Sequence, residues 1–399
     1  MAETKVYQNR NFLIVCCSGL MGMMTVSMIA PAFPKIAEAL GVSAQTVGLL
    51  ITAYTLPSFV IGPLAGIMAD RLGRRRLFVP CLFLFGILGG ACALAPNFKI
   101  LVILRVLQGI VGAPLGGISG AIVGDLFSGH RRAEAMGLNT TVGYTGYVIY
   151  PLIGGALAGL SWNYPFLSYL LAIPVGVLAF FFLHPPEPKR QQNLKEYLGA
   201  GLRYLKSLKV LWLFSAAMIT YIMLYGAYLT YFGIRLRQVF NATPFTIGLF
   251  ISFVGLVTSI TSSQAGKLSK RFTGVSLIVA AFVIYAVAVA LIPAISNLWL
   301  SLLPSILFGI AHGINLPNQR VIAATVTPME HRAGFMAIQG AIWQFGMAIA
   351  PIVLGLVFTL TSLSATFLIA ALISAIIPTM AVIIGKAKLG TTNLTHERD

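Results

Sequence analysis

Apolar residues along this chain come in long blocks, each about the length of a membrane crossing, separated by short polar stops. A hydrocarbon core of roughly 30 Å needs about 20 apolar residues in a helix. Twelve blocks reach that length: residues 11–33, 44–69, 77–95, 98–124, 134–160, 162–184, 209–234, 244–268, 274–293, 297–323, 333–359 and 363–386. They are predicted helices 1 to 12. In lipid a spanning segment must satisfy its own backbone hydrogen bonds, so the pattern predicts an all-α membrane protein. The long polar stretch between helices 6 and 7, residues 185–208, opens with PPEPKR and continues LKEYLGAGLRYLKSLK. Its prolines stop helix 6, and the remainder predicts a basic amphipathic helix lying on the membrane surface. The expected organisation is a six-helix bundle over 1–184, a linker over 185–208, and a second six-helix bundle over 209–399.

The two bundles carry the same punctuation. Subtracting 200 places Thr246, Gly248, Leu249 and Ile251 on Thr46, Gly48, Leu49 and Ile51, and Gly266 and Arg271 on Gly66 and Arg71. Asn297, Leu307, Gly309 and Ile310 fall on Asn97, Leu107, Gly109 and Ile110; Arg332, Ala333 and Met336 fall on Arg132, Ala133 and Met136. Gly346, Pro351 and Gly355 fall on Gly146, Pro151 and Gly155. Matching leucines are cheap in apolar segments. Glycine, proline and arginine at one fixed offset are not, because each marks backbone geometry or a membrane boundary. The halves are expected to be pseudo-symmetric.

Composition agrees with this class. The 399 residues are 58% hydrophobic and 9% charged, with 40 glycines, and mean hydropathy is +0.89. No soluble fold of this length fits those values. The net charge of +17 invites a nucleic-acid reading. The placement of the charge argues against it. With a cytosolic N-terminus, 21 of the 27 basic residues fall in the cytosolic segments, including Arg71, Arg74, Arg75, Arg76, Arg131, Arg132, Lys267, Lys270 and Arg271. That bias is the positive-inside rule, and it places both termini in the cytosol. A cleaved signal peptide ending near Ala30 and Ala32 is the competing reading of helix 1; its length and its counterpart in the second half favour a span. Cys16, Cys17, Cys81 and Cys92 lie inside predicted helices without metal-ligand spacing, so they are expected to pack.

Several motifs point further. Gly66, Asp70, Arg71, Gly73, Arg74 and Arg75 form G-x-x-x-D-R-x-G-R-R between helices 2 and 3. Helix 4 carries Arg105, Gln108 and Gly109 in RVLQGIVGA, and helix 5 carries Gly146, Pro151, Gly154 and Gly155 in GYVIYPLIGG. On these residues the chain, over its whole length, resembles the major facilitator superfamily and within it the 12-helix drug:proton antiporter branch. The resemblance implies secondary active transport by alternating access, most directly proton-coupled export of a small organic molecule. It also implies that Arg74 pairs with Asp125 and that Asp70 meets the start of helix 11, so that Gly66, Asp70, Arg71, Gly73, Arg74 and Asp125 act as a conformational gate. Tyr150 stands where the helix 5 motif has a glycine, which weakens the antiport inference. In the second half Lys270 replaces the acid, so no equivalent carboxylate latch forms there.

The residues themselves suggest where a cavity would be lined. A permanent charge inside the membrane costs roughly 2.5 to 3.5 kcal/mol or more, so Arg105 is expected to face a cavity; the competing reading has backbone carbonyls near the break of helix 1 at Pro31 and Pro34 satisfying it. Gln108 sits beside it. None of the ten acidic residues falls in mid-membrane. A neutral, zwitterionic or anionic substrate is therefore expected rather than a lipophilic cation. On helix 10, His312, Asn315 and Gln319 share a helical face beside Pro317, flanked by Arg320. His312 is the candidate proton carrier, or else a neutral histidine bonded to a neighbouring helix. Tyr221, Tyr225 and Tyr228 on helix 7, with Tyr144 and Tyr147 on helix 5, are expected to form aromatic walls, with plain helix packing as the alternative. Tyr54, Gln264, Trp343 and Gln344 are weaker cavity candidates.

No nucleotide-binding loop is present, and no H-E-x-x-H or paired intramembrane acids point to an enzyme. The expected protein is a monomer in the plasma (inner) membrane that touches lipid and a small-molecule substrate, uses the proton gradient and binds no cofactor. Rival readings are import or exchange of an organic anion through Arg105 and Arg320, lipid flipping, and a membrane sensor without flux.

Overall fold

A computed structural model describes residues 6–185, 207–326 and 332–385, with the side chains at 67, 332–334 and 337 left aside. The amphipathic linker helix expected at 185–208 falls almost entirely outside the described residues. The described residues form helices throughout and no strand.

The principal helices are α1 Arg10–Ser27, α2 Leu49–Leu72, α3 Arg74–Ala91, α4 Phe98–Leu126, α5 Gly129–Leu160 and α6 Ala172–Phe182, then α7 Leu208–Tyr221, α8 Pro244–Leu268, α9 Gly274–Leu291, α10 Leu302–Val326, α11 Arg332–Leu360 and α12 Leu363–Ile384. Local chemistry sets their ends. The side chains of Asn9, Asn97, Thr273 and Ser362 accept the backbone N–H three residues on, which caps α1, α4, α9 and α12. Beyond α1 the chain makes a 3-10 turn at Ala30–Ala32 and a short helix at Phe33–Ala39, where Pro31 and Pro34 remove backbone donors. Gly73, at φ 91°, makes the tight turn between α2 and α3, a conformation that other residues rarely adopt.

Eleven helical stretches among the described residues are long and apolar enough to span a membrane. The predicted helix 5 is not among them. α5 has 32 residues, ample length, but Asn139, Thr140, Thr141, Thr145 and its many glycines dilute its apolar character.

The helices group into two compact units, one comprising Met1–Gln192 with Thr243–Leu249, the other Asn193–Ala242 with Phe250–Asp399. The duplication seen in the sequence recurs in bonds. In the first unit Ser58 Oγ donates to the Gly109 carbonyl (3.0 Å); in the second Thr258 Oγ1 donates to that of Gly309 (3.3 Å). Ser43 and Thr46 share a hydroxyl hydrogen bond, as do Thr243 and Thr246. Gly41 and Asn241, again 200 apart, both take the left-handed conformation. In each unit the first glycine of α4 or α10 lets a neighbouring backbone approach: a side chain at Gly109 would strike the Tyr54 carbonyl, and one at Gly309 would strike Val254 and Val257. Small residues and hydroxyls of this kind hold helices together where lipid provides no hydrophobic drive between them.

Candidate functional site

The first unit is organised around Arg105. Its Nη2 donates to the Thr25 carbonyl (2.6 Å), its Nη1 to Gln108 Oε1 (2.8 Å) and to the Tyr169 hydroxyl (3.4 Å), and its Nε to the Leu50 carbonyl (3.4 Å). The guanidinium also lies 4.9 Å from the Tyr54 ring centroid and 5.9 Å from that of Tyr169. Tyr169 in turn donates to the Thr25 carbonyl at 2.9 Å, and Gln108 Nε2 to the Phe85 carbonyl at 3.4 Å. Arg105 and Gln108 are each 0% exposed. The expectation that Arg105 faces an open cavity is therefore not met. A buried cation with this many acceptors and two aromatic faces is compensated where it stands. Its partners come from α1, α2, α4 and the 3-10 turn Ser168–Leu171 leading into α6, so it ties four segments together. Of the two carbonyls that receive it, that of Thr25 lies close to the end of α1, in line with the competing reading that carbonyls near the broken end of the first helix satisfy it, and that of Leu50 lies at the start of α2. Tyr169 and Thr25 carried no signal in the sequence, because a tyrosine or threonine in an apolar block reads as packing.

The second unit holds a different polar centre. The His312 Nδ1 and the Tyr285 hydroxyl are hydrogen-bonded between α10 and α9, and the imidazole stacks on Phe308. Asn315 Nδ2 and Gln319 Nε2 both donate to Thr220 Oγ1 on α7, at 2.7 and 2.9 Å, and Gln319 also donates to Asn315 Oδ1 at 2.9 Å. The predicted stripe of His312, Asn315 and Gln319 thus divides between two neighbours. His312 turns to α9, and the two amides turn to α7.

Helix 7 corrects a second expectation. Its middle, Ile222–Phe232, is a π-helix, and Thr230 Oγ1 donates to the carbonyl of Tyr225 five residues back. Wider turns change which residues share a face. Tyr221 and Tyr225 stack with centroids 5.9 Å apart, but Tyr228 turns away, donates to Ser305 Oγ at 2.7 Å and stacks on Phe232 and Phe308. The three tyrosines do not make one wall. Tyr221 continues instead to Trp343 on α11 (5.6 Å), over whose ring the half-buried Arg320 sits at 5.7 Å. On α10 and α11, the helices that carry Arg320 and Trp343, are buried polar atoms without a hydrogen-bond partner: Gln319 Oε1, both amide atoms of Gln339, Trp343 Nε1 and Gln344 Oε1. Gln339 was not anticipated from the sequence. It is one glutamine in a helix whose other polar residues looked equally incidental.

Tyr144 and Tyr147 lie together on α5, half-buried, with ring centroids 6.0 Å apart. Gly146, Pro151, Gly154 and Gly155 on the same helix are all buried. A side chain at Gly154 would collide with the Met28 carbonyl at the end of α1, and the Tyr150 ring lies against Gly146. The residue that departs from the family pattern therefore fills space on its own helix.

At the arginine-rich end of the first unit, Arg74 is 9% exposed and pairs with Asp125 at the end of α4 and with Asp70 (3.4 Å) at the end of α2. Both ion pairs join helix ends within the first unit. Gly66 faces open space, and Arg71 is exposed. The meeting expected between Asp70 and the start of the eleventh helix involves side chains outside the described set.

Duplicated helical bundles with buried polar centres inside membrane-spanning stretches define a polytopic transporter. The family model for the Major Facilitator Superfamily matches residues 15–272 and 228–393, and the chain belongs to that family. Quinolone resistance protein NorA of Staphylococcus aureus (strain MRSA252) is 22% identical over 361 residues, spanning 88% of this chain and 90% of that protein. Multidrug transporter protein MdtP of Bacillus subtilis (strain 168) is 36% identical over 168 residues, 42% of this chain and 30% of that one. Among solved structures, a bacterial homolog of the human lysosomal transporter Spinster, inward-facing and unoccupied, superposes with a TM-score of 0.77 at 16% identity over 97% of both chains. The chain is thus a multi-pass membrane transporter similar to the drug:proton antiporter branch.

Proposed function

We propose that this protein exports a small, partly aromatic organic molecule across the plasma membrane by alternating access, in exchange for protons and without a bound cofactor. The observation that carries the reading is the row formed by Arg320, Trp343, Tyr221 and Tyr225 in the second unit, together with the unpartnered polar atoms of Gln319, Gln339 and Gln344 on α10 and α11. Buried polar atoms left without partners are costly, and a ligand offering complementary donors and acceptors between aromatic faces removes that cost. The similarity to relatives named for quinolone resistance and multidrug transport supports export.

Substrate charge follows from what surrounds the row. Within the second unit a cation there would meet Arg320 and no carboxylate among the described residues, because the four described acids, Glu38, Asp70, Asp125 and Glu134, all belong to the first unit. Neutral, zwitterionic or anionic aromatic molecules fit better. His312 is the proton carrier in this reading, since an imidazole exchanges a proton near neutral pH and Tyr285 holds one of its ring nitrogens. Arg105 positions helices rather than substrate, so the organic-anion route through Arg105 loses its main support. The protein acts as a monomer with both termini in the cytosol.

The test is flux of a panel of aromatic compounds in vesicles holding purified protein, with and without an imposed proton gradient. Gradient-driven movement of neutral or acidic aromatics is expected. Transport of lipophilic cations alone, or none of any compound, would refute the reading.

A further inference from the structure

The arginine-rich end of the first unit, which carries the gate residues Asp70, Arg71, Gly73 and Arg74, contains a cleft to which the transport reading assigns no ligand. It encloses about 740 Å³ between the α2–α3 turn and the end of α6, and Asp70, Arg71, Arg74, Arg75, Arg76 and His184 line it. A volume of that size is in the range of small-molecule sites.

The charge of the cleft is uneven. Arg74 is neutralised by Asp125 and Asp70, and its buried Nε has no partner. Arg75 is held in place through Nη2 by the carbonyl of Phe180. Arg71 and Arg76 have no protein partner among the described residues, and both are exposed. Four guanidinium charges therefore stand against the two carboxylates of Asp70 and Asp125, which leaves the concavity with an excess of two positive charges. The backbone adds to this. α3 begins at Arg74 with no side-chain cap, and its first backbone bond runs from the Leu77 N–H to the Gly73 carbonyl (3.3 Å). The N–H groups of Arg74, Arg75 and Arg76 consequently have no partner within the helix, at the positive end of an 18-residue dipole. Amide donors at a helix start together with forked guanidinium donors are the groups that bind phosphate oxygens.

One wall is apolar. Val79, Pro80 and Phe180 border the same cleft where it meets the membrane-spanning part of α3 and α6. Arginines that merely anchor helices at a membrane boundary are solvated and need no enclosed volume beside them.

We propose that this cleft is a binding site for a phosphate-bearing anion, held by Arg71, Arg75 and Arg76 and by the free amides at the start of α3. Two sources share that chemistry, an anionic lipid headgroup and a soluble phosphate. A lipid would also use the apolar wall. Because the α2–α3 turn carries Arg74 and its two carboxylates, occupancy of the cleft bears directly on the stability of that ion-pair cluster.

The full chain, purified in a nonionic detergent, is titrated at constant ionic strength with phosphatidylglycerol, with phosphatidylcholine of the same acyl chains, and with glycerol phosphate. The readout is the thermal unfolding midpoint by tryptophan fluorescence, since a ligand of the folded state raises it. Phosphatidylglycerol is expected to raise the midpoint saturably and phosphatidylcholine is not. The double variant Arg76→Gln/His184→Gln changes only exposed side chains, so its midpoint without lipid should match wild type. Its half-saturating phosphatidylglycerol concentration should rise about tenfold, the loss of one charge-assisted hydrogen bond or more. Arg76→Lys should fall between the two, because it keeps the charge and loses the fork. An equal response to glycerol phosphate retains the site and assigns it to a soluble anion. An equal response to phosphatidylcholine, or a phosphatidylglycerol response unchanged in the double variant, overturns the proposal.

Discussion

The two units share one scaffold and spend it differently. At equivalent places on α4 and α10 the first unit has Arg105 and the second has Ser305. Arg105 gathers carbonyls from α1 and α2 and the hydroxyl of Tyr169, and it is sealed. Ser305 receives one bond from Tyr228 and returns its own to the Ser301 carbonyl. Two turns further along, Gly112 of the first unit lies against Tyr54, while its counterpart His312 reaches Tyr285. The first unit thus places its charge where it fastens helices. The second places a hydroxyl and an imidazole at the corresponding positions, each hydrogen-bonded to a tyrosine. A duplicated fold keeps its glycine and hydroxyl contacts, Ser58 with Gly109 and Thr258 with Gly309, while its interior polar residues diverge.

That contrast can be broken by experiment. The largest effect is expected from Arg105→Ala, which leaves several buried acceptors without a donor and should cost roughly 3 kcal/mol or more in stability, with flux falling in step. A variant with wild-type melting behaviour would remove Arg105 from its fastening role. Next comes Gly109→Val, whose side chain would drive α4 away from the Tyr54 carbonyl and cost about 1–3 kcal/mol. Gly309→Val should cost a similar amount in the second unit; a large difference between the two in denaturation midpoints would contradict the shared scaffold. Asp125→Asn removes a charge partner of Arg74 and should speed exchange between inward- and outward-open forms, as read by paired spin labels, with a smaller loss of stability. Ser305→Ala should be mildest, about 1 kcal/mol for the lost Tyr228 bond. Equal penalties for Ser305→Ala and Arg105→Ala would erase the contrast between the units.

Much of this architecture was legible in the residues, since apolar block lengths and fixed-offset glycines report directly on spans and on close helix approach. The turn at Gly73 was visible because few residues suit that position, whereas the pairing of Arg74 with Asp125 was implied by the family resemblance alone. Helix 7 was misread because angular spacing at 100° per residue assumes an α-helix, and Ile222–Phe232 is wound as a π-helix. Arg105 was misplaced because the cost of a buried charge was assigned to water in a cavity. Its actual partners, Thr25 and Leu50 by their carbonyls and Tyr169 by its hydroxyl, are groups that any apolar segment supplies. Gln339 and Thr220 escaped notice because a lone polar residue in a span gives no sign of which neighbour it faces.

The division of labour between the units is tested most directly by proton-gradient-driven flux in vesicles holding the His312→Gln protein, compared with wild type at equal incorporation. The expected result is a folded protein whose residual flux ignores the imposed gradient. Stimulation by the gradient equal to that of wild type would contradict the account.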